Sequence, residues 1–275
     1  MRGVAQKRAT GFRGARPART ARRRIGAAAL LAVVAVACVS KAPTSVVAEG
    51  HEGAPGVQRF LLVPANLVVA LRPELEGGIE PVQAEIAAYL EQQGRAVERI
   101  SLPDARRVWE QSVSELAASG TELDFPKAAE SFARKLGDGR DFQALVIPSL
   151  LLQKVVVRHR GAEWDGVERR IRVVNLPHRS AGRTSDVLVD GLASGSLNAA
   201  MAVSSLHVMV FTREGRRIFE GRGGLEFLQD VDLAKVTESF HFEIKPRSDV
   251  FQDREILREA VEVALTPYLP PLSDR

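Results

Sequence analysis

Three carboxylates, Glu163, Asp165 and Glu168, flank Trp164 and form a compact group of side chains that could do acid–base chemistry. Paired carboxylates can act as general acid and general base. The dipeptide Asp165-Gly166 between them, however, is typical of the turn of a β-hairpin, and a hairpin tip is normally solvated. We therefore expect a turn here, and we assign no catalytic residue and no enzymatic activity to the chain.

The histidines lie too far apart in the sequence to form a local metal site. They stand at positions 51, 159, 178, 207 and 241, and no two are three or four residues apart, as two ligands on one helix would be. His207 and His241 fall in predicted strands and could meet across a sheet, but histidines in strands are commonly structural. We expect no metal ion and no other cofactor.

Motifs for binding phosphate, dinucleotides or zinc, and for a nucleophilic serine, do not occur in the sequence. The glycine-rich stretch Gly221-Arg222-Gly223-Gly224 continues into Leu225-Glu226-Phe227, which is typical of a strand, so the amides of a helix N-terminus would be missing. These glycines indicate a β-bulge or a close approach of another segment.

A basic hairpin is the most distinctive charged feature. Residues 154–183 carry eight basic and three acidic side chains. We select five of the basic residues as candidates for binding a partner: Arg158, Arg160, Arg169, Arg170 and Arg172. They could dock an anionic polymer, lipid headgroups or an acidic partner protein. Alternatively, they protect the edge of a sheet, as charged residues often do.

The N-terminal region has the pattern of a secretory signal peptide over residues 1–37. Three arginines at 22–24 precede a thirteen-residue apolar run at 25–37, and small residues stand before Cys38. Crossing a bilayer as a helix takes about 20 apolar residues, so we interpret the run as the apolar part of a signal peptide.

Ala35-Val36-Ala37-Cys38 resembles the lipobox of bacterial lipoproteins, although that family prefers leucine where Ala35 stands. The resemblance implies that Cys38 is acylated and becomes the membrane-anchored N-terminus. Val39 is not the aspartate associated with inner-membrane retention, which favours the outer membrane, facing the periplasm. Two alternatives stay open: an ordinary cleavage site with an incidental cysteine, and twin-arginine export through Arg22-Arg23.

Removal of residues 1–37 changes the sign of the net charge. That segment holds nine of the 38 basic residues and none of the 34 acidic residues, so the remainder carries 29 basic and 34 acidic residues, a net charge of −5. A nucleic-acid role suggested by the pI near 9.5 is therefore not expected.

The rest of the chain predicts a tether and one domain. Residues 38–57 are rich in Ser, Pro, Gly and Ala, which favours a flexible tether. Residues 58–272 then form a single domain with a loop insertion at 177–198. Residues 59–69 read as one buried strand, followed by a helix over 80–93 that ends at Gly94.

Further elements alternate between strand and helix before hairpins appear. A short strand is expected over 95–102, then helices capped by Ser101 and Asp124, and at the end a helix capped by Asp253. Strands over 142–159, 168–174, 201–212, 216–227 and 238–245 fill the second half. We predict an α/β fold with a mixed sheet, hairpins and about four packing helices in two or three layers.

This order of elements resembles the domain shared by the curli-secretion lipoprotein, the penicillin-binding-protein activator lipoproteins and the N-terminal domain of the Tol translocation protein. The resemblance covers residues 59–269 and rests on element order, so it transfers no functional residues. It implies a non-enzymatic accessory protein of the cell envelope. A periplasmic hydrolase with a dispersed active site and a subunit of a secretion pore, with strands from 187–211, remain alternatives.

Overall fold

The structure is a computed structural model that describes residues 44–48, 53–120, 124–158, 161–174, 199–232 and 243–271. All of them belong to one compact unit that begins at Ala42. Cys38, the predicted signal peptide, Arg160, the predicted loop at 177–198 and every histidine except His207 lie outside these ranges. Within the described ranges, no helix combines the length and the apolar character that crossing a membrane requires.

Strands and helices alternate in the first half, and hairpins dominate the second. The strands are β1 (Ser45–Val47), β2 (Arg59–Leu62), β3 (Ala96–Arg99), β4 (Ala144–Val157), β5 (Gly161–Trp164), β6 (Val167–Arg170), β7 (Val173–Val174), β8 (Ala199–Thr212), β9 (Arg217–Phe227), β10 (Gln229–Asp232) and β11 (Glu243–Pro246). The helices are α1 (Ile79–Gln92), α2 (Leu102–Ala118), α3 (Phe125–Gly139) and α4 (Arg254–Leu265), and a 3-10 helix spans Pro73–Gly78.

The main sheet has six strands in the order β1-β9-β8-β4-β2-β3. Strands β3, β2 and β4 are parallel, and β8, β9 and β1 continue the sheet in antiparallel pairs. Helices α1 and α4 pack on one face and α2 and α3 on the other. The predicted α/β fold with a mixed sheet is confirmed, and it has three layers.

Burial on both faces explains why the central strands are continuously apolar. Phe60 and Leu62 of β2 pack against α1 and α4, whereas Leu61 and Val63 face α2 and α3. Successive side chains of a strand point to opposite faces, so a strand between two helical layers needs apolar residues at every position.

Two smaller sheets extend the second half. Strands β5 and β6 form a hairpin, and β11-β10-β7 form a three-stranded sheet. Trp164 packs the hairpin against the main sheet through two contacts. Its ring centre lies 5.2 Å from that of Phe227, and its Nε1 donates to the Ser204 carbonyl at 3.1 Å. The predicted hairpin turn at Asp165-Gly166 is confirmed, and both residues have positive φ angles.

The glycines at 221–224 permit close approach, as the sequence predicted. A Cβ at Gly221 would lie 2.1 Å from the Ala264 carbonyl oxygen, and one at Gly223 would lie 2.0 Å from that of Ala260. Both carbonyls belong to α4. The backbone of the helix therefore rests directly on β9, which glycine alone allows.

Predicted helix ends agree with the structure in most cases. Ser101 caps α2 by accepting from Asp104 N at 3.3 Å, and Asp253 caps α4 by accepting from Glu255 N at 2.9 Å. Gly94 follows α1 with a φ of 75°. Asp124 occupies the N-cap position of α3, but its side chain makes no capping hydrogen bond.

The strand predicted over residues 59–69 is wrong in its second half. Strand β2 ends at Leu62, and Asn66 takes a left-handed conformation with a φ of 56°. Pro64 has no amide hydrogen to continue a ladder, and Asn66 turns the chain away. The apolar residues 67–71 therefore lie in a surface loop, where Leu71 is 37 % exposed.

The flexible tether predicted over residues 38–57 extends too far. Ser45–Val47 instead forms β1, paired with β9, and Arg222 N donates to the Thr44 carbonyl at 2.7 Å. Ala54 is buried, and its amide donates to the Tyr268 carbonyl at 2.9 Å. A composition rich in small residues did not prevent these backbone contacts, so the chain is part of the domain from Thr44.

Candidate functional site

The carboxyl edge of β2, β3 and β4 is where an open α/β sheet ordinarily binds a ligand. In this protein, the loop that follows β2 covers that edge. Strand β4 continues beyond this edge, and the Asn66 side chain makes two hydrogen bonds to its backbone. Asn66 Oδ1 accepts from Leu150 N at 2.8 Å, and Asn66 Nδ2 donates to Leu150 O at 3.0 Å. Leu67 and Val68 pack on the layer beneath.

Helix α2 begins at the same edge, and its N-terminus already faces a negative charge. The Ser101 hydroxyl donates to Asp104 Oδ2 at 2.7 Å, and this bond lowers the pKa of Asp104. An ionised carboxylate in the first turn occupies the place where a helix would bind phosphate. A phosphate at this helix end would have to compete with the Asp104 carboxylate.

A polar row crosses the middle of the main sheet. Ser149, His207 and Arg222 lie directly opposite one another on β4, β8 and β9. His207 Nε2 lies 3.0 Å from Glu220 Oε1, and Arg217 Nη1 donates to Glu220 Oε2 at 2.9 Å. No local pattern in the sequence predicts this row, because cross-strand register is not encoded in local spacing.

The row contains the residue types of a catalytic triad but not its geometry. Burial lowers the pKa of His207, although Glu220 opposes that effect, so the imidazole is neutral near pH 7. A nucleophilic serine would have to reach both this imidazole and a substrate. Ser149 is fully buried, and its Oγ has no hydrogen-bond partner among the residues that the structure describes. We assign the row to the packing of the sheet.

Asp165, one of the three carboxylates around Trp164, has a structural role. Asp165 Oδ2 accepts from Gln153 Nε2 at 2.6 Å, which ties the hairpin turn to β4. Glu163 and Glu168 face each other across the hairpin and are exposed.

Two of the five candidate partner-binding arginines have internal partners. Arg169 Nε donates to the Leu225 carbonyl at 2.8 Å, and its Nη1 lies 2.5 Å from Glu259 Oε2, with only 15 % of the side chain exposed. Arg172 donates from Nε and Nη2 to the Asp230 carboxylate at 3.0 and 2.6 Å. The proposed docking role is therefore least suited to these two residues.

Arg158 and Arg170 are exposed. Neither makes an ion pair with any residue in the described parts of the chain. Arg160, the fifth candidate, lies outside those parts. The basic surface that is open to a partner is thus smaller than the sequence suggests.

Arg172 belongs to a network of charges that joins the small sheet to the segment before α4. Its guanidinium also binds Asp249, at 2.5 and 3.0 Å, and this hydrogen bond, with help from Arg247, lowers the pKa of Asp249 to about 2. Arg247 Nη1 lies 2.9 Å from Glu226 Oε2. Burial nevertheless raises the pKa of Glu226, because the carboxylate is almost completely removed from water.

A groove of about 660 Å³ lies beside α4. We call it the α4 groove. Its lining residues come from α4, the chain after α4, the hairpin turn and the start of β1: Thr44, Ser45, Gly166, Glu255, Arg258, Glu259, Glu262, Val263, Thr266, Pro267 and Pro271. No local pattern in the sequence predicts this groove, since its walls come from three distant segments.

No cluster of three or more His, Cys, Asp or Glu side chains within the described ranges could hold a metal ion. No protein-family model matches the chain, and comparison with curated proteins finds no match.

Proposed function

We propose that the protein is a lipoprotein, anchored to the cell envelope through Cys38, that acts as a non-enzymatic accessory or interaction protein. Its expected place is the outer membrane, facing the periplasm. The observation that carries the non-enzymatic role is the filled carboxyl edge of the main sheet, where Asn66 bonds to both backbone groups of Leu150. We therefore expect the domain to act by binding other molecules at its surface.

The start of β1 supports a membrane-proximal position. Thr44 is hydrogen-bonded to β9, and only six residue steps separate it from Cys38. Six extended residues span at most about 20 Å. An acylated Cys38 would therefore hold the β1 side of the domain within about 20 Å of the bilayer surface.

Metabolic labelling with a fatty acid, followed by mass spectrometry of the mature N-terminus, tests the anchor. We expect a diacylated N-terminal Cys38 in the membrane fraction and no label on Cys38→Ala. Ser40→Ala, two residues away, serves as the matched control and should keep the label. A mature N-terminus at any other residue, or a labelled Cys38→Ala protein, would contradict the proposal.

Crosslinking in intact cells tests the accessory role. We expect specific envelope proteins to crosslink to the acylated protein. These crosslinks should disappear in variants whose surface residues are changed and whose fold is intact. Hydrolysis of a periplasmic substrate by the purified protein, abolished by His207→Gln, would instead favour an enzyme.

A further inference from the structure

Helix α4 packs on the main sheet with one face and lines the α4 groove with another. One face is buried on the main sheet through Leu257, Ala260, Val261, Ala264 and Leu265. The flank that lines the α4 groove carries residues at the spacing of successive helical turns: Glu255, Arg258, Glu259, Glu262, Val263 and Thr266. The groove is thus built on a rigid element that the core holds in place.

The charge of the groove is negative. Glu255, Glu259 and Glu262 line it, with Arg258 as the one cationic residue of the lining. Glu259 is paired with Arg169. Within the described parts of the chain, neither Glu255 nor Glu262 makes an ion pair, and their carboxylates remain available to a cation.

The remaining lining combines apolar residues with the hydroxyl groups of Thr44, Ser45 and Thr266. Val263, Pro267 and Pro271 contribute hydrocarbon surface, and Gly166 of the hairpin turn approaches α4. A Cβ at Gly166 would lie 2.7 Å from Val263 Cγ1, so the two segments are already in close contact. An occupant would meet apolar surface flanked by carboxylates.

The spacing of Glu255 and Glu262 on α4 indicates which kind of ligand the groove could bind. Glu255 and Glu262 are seven residues apart on α4, which corresponds to about 10 Å along the helix axis. In a polyproline II segment, residues i and i+3 lie on one side at about 9 Å. Arginine at every third position of such a segment would reach both carboxylates.

We propose that the α4 groove binds an extended basic segment of a partner protein, with Arg or Lys at every third residue. The apolar residues between the cations would lie on Val263 and the two prolines. The inference rests on the proposed role as an interaction protein, but it does not depend on acylation of Cys38.

Binding of a synthetic peptide tests the proposal. The protein is the mature chain from residue 38 with Cys38→Ser, and the probe is fluorescein-labelled Ala-Arg-Pro-Ala-Arg-Pro-Ala, followed by anisotropy. We expect saturable binding that weakens at least tenfold in the double variant Glu255→Gln/Glu262→Gln, because two charge-assisted contacts are lost. Arg258→Ala should bind more tightly.

Two controls separate recognition of the groove from general charge attraction. Glu110→Gln/Glu130→Gln removes two exposed carboxylates from α2 and α3 and should change affinity less than twofold. A peptide of the same composition with its arginines adjacent should bind at least fivefold more weakly. Equal weakening by both double variants, or equal affinity for both peptides, would overturn the proposal.

The outcomes also separate this inference from the proposed function. Envelope crosslinks that survive Glu255→Gln/Glu262→Gln, together with no peptide binding, would reject the groove and keep the accessory role. Peptide binding by a protein that is not acylated in cells would keep the groove and reject the anchor.

Discussion

Gly223 of β9 lies beneath the carbonyl group of Ala260 in α4, so closely that a Cβ at position 223 would stand 2.0 Å from that oxygen. We expect Gly223→Ala to lower the free energy of unfolding by more than about 2 kcal/mol, because α4 must shift away from the sheet. Urea denaturation followed by tryptophan fluorescence measures this loss.

Gly139→Ala is the matched control, since no atom of the described parts of the chain lies within 4 Å of a Cβ at that position. It should leave the free energy of unfolding within about 0.5 kcal/mol of the wild type. Similar values for the two variants would show that α4 does not rest on β9 as closely as the structure indicates.

Asn66 holds the loop over the carboxyl edge of the sheet through its two bonds to Leu150. Asn66→Ala should lower the free energy of unfolding by about 1–3 kcal/mol, because two backbone groups of Leu150 lose their partners. Asn66→Gly also loses the bonds but tolerates the left-handed conformation, so it should be the more stable of the two. Thermal unfolding of both variants measures the ranking. An Asn66→Gly protein as stable as the wild type would show that the two hydrogen bonds do not stabilise the fold.

His207 makes stability depend on pH. Its folded-state pKa is lowered by burial, so the unfolded chain binds the proton first as the pH falls. The stabilising contribution is complete above the unfolded pKa of about 6.5 and is lost as the pH falls through the folded value. Between pH 7.5 and 5, the Tm should therefore fall more in the wild type than in His207→Gln.

Glu220→Gln provides the complementary variant for this pH dependence. The carboxylate opposes the effect of burial on His207, so its removal should lower the histidine pKa further and steepen the loss of Tm. A titration of the His207 ring protons by NMR reads the same pKa directly. A midpoint above 6.5 would contradict the assignment.

The basic hairpin residues should separate into two classes. Arg172→Ala leaves the nearly buried Asp230 without its bidentate partner and should cost roughly 1–3 kcal/mol of unfolding free energy. Arg170→Ala should cost less than about 0.5 kcal/mol, because the side chain is exposed. Chemical denaturation of both variants checks the difference, and equal losses would contradict the internal role of Arg172.

Local patterns in the sequence predicted what depends on neighbouring residues. The caps at Ser101 and Asp253, the turn at Asp165-Gly166 and the fold class follow from such patterns and are confirmed. The predicted strand over 59–69 failed because apolar composition alone does not show that Asn66 turns the chain toward Leu150, 84 residues away. The α4 groove and the row at His207 likewise depend on contacts between distant segments.

Strand β1 has a consequence for where the folded domain begins. A truncated protein starting at residue 58, the boundary that composition suggests, would lack the three pairs that cover β9 at Phe219, Glu220 and Gly221. It would present unpaired amide and carbonyl groups of a sheet edge to other molecules, which favours aggregation. A protein starting at residue 42 keeps that cover, so the two should differ in solubility on light scattering.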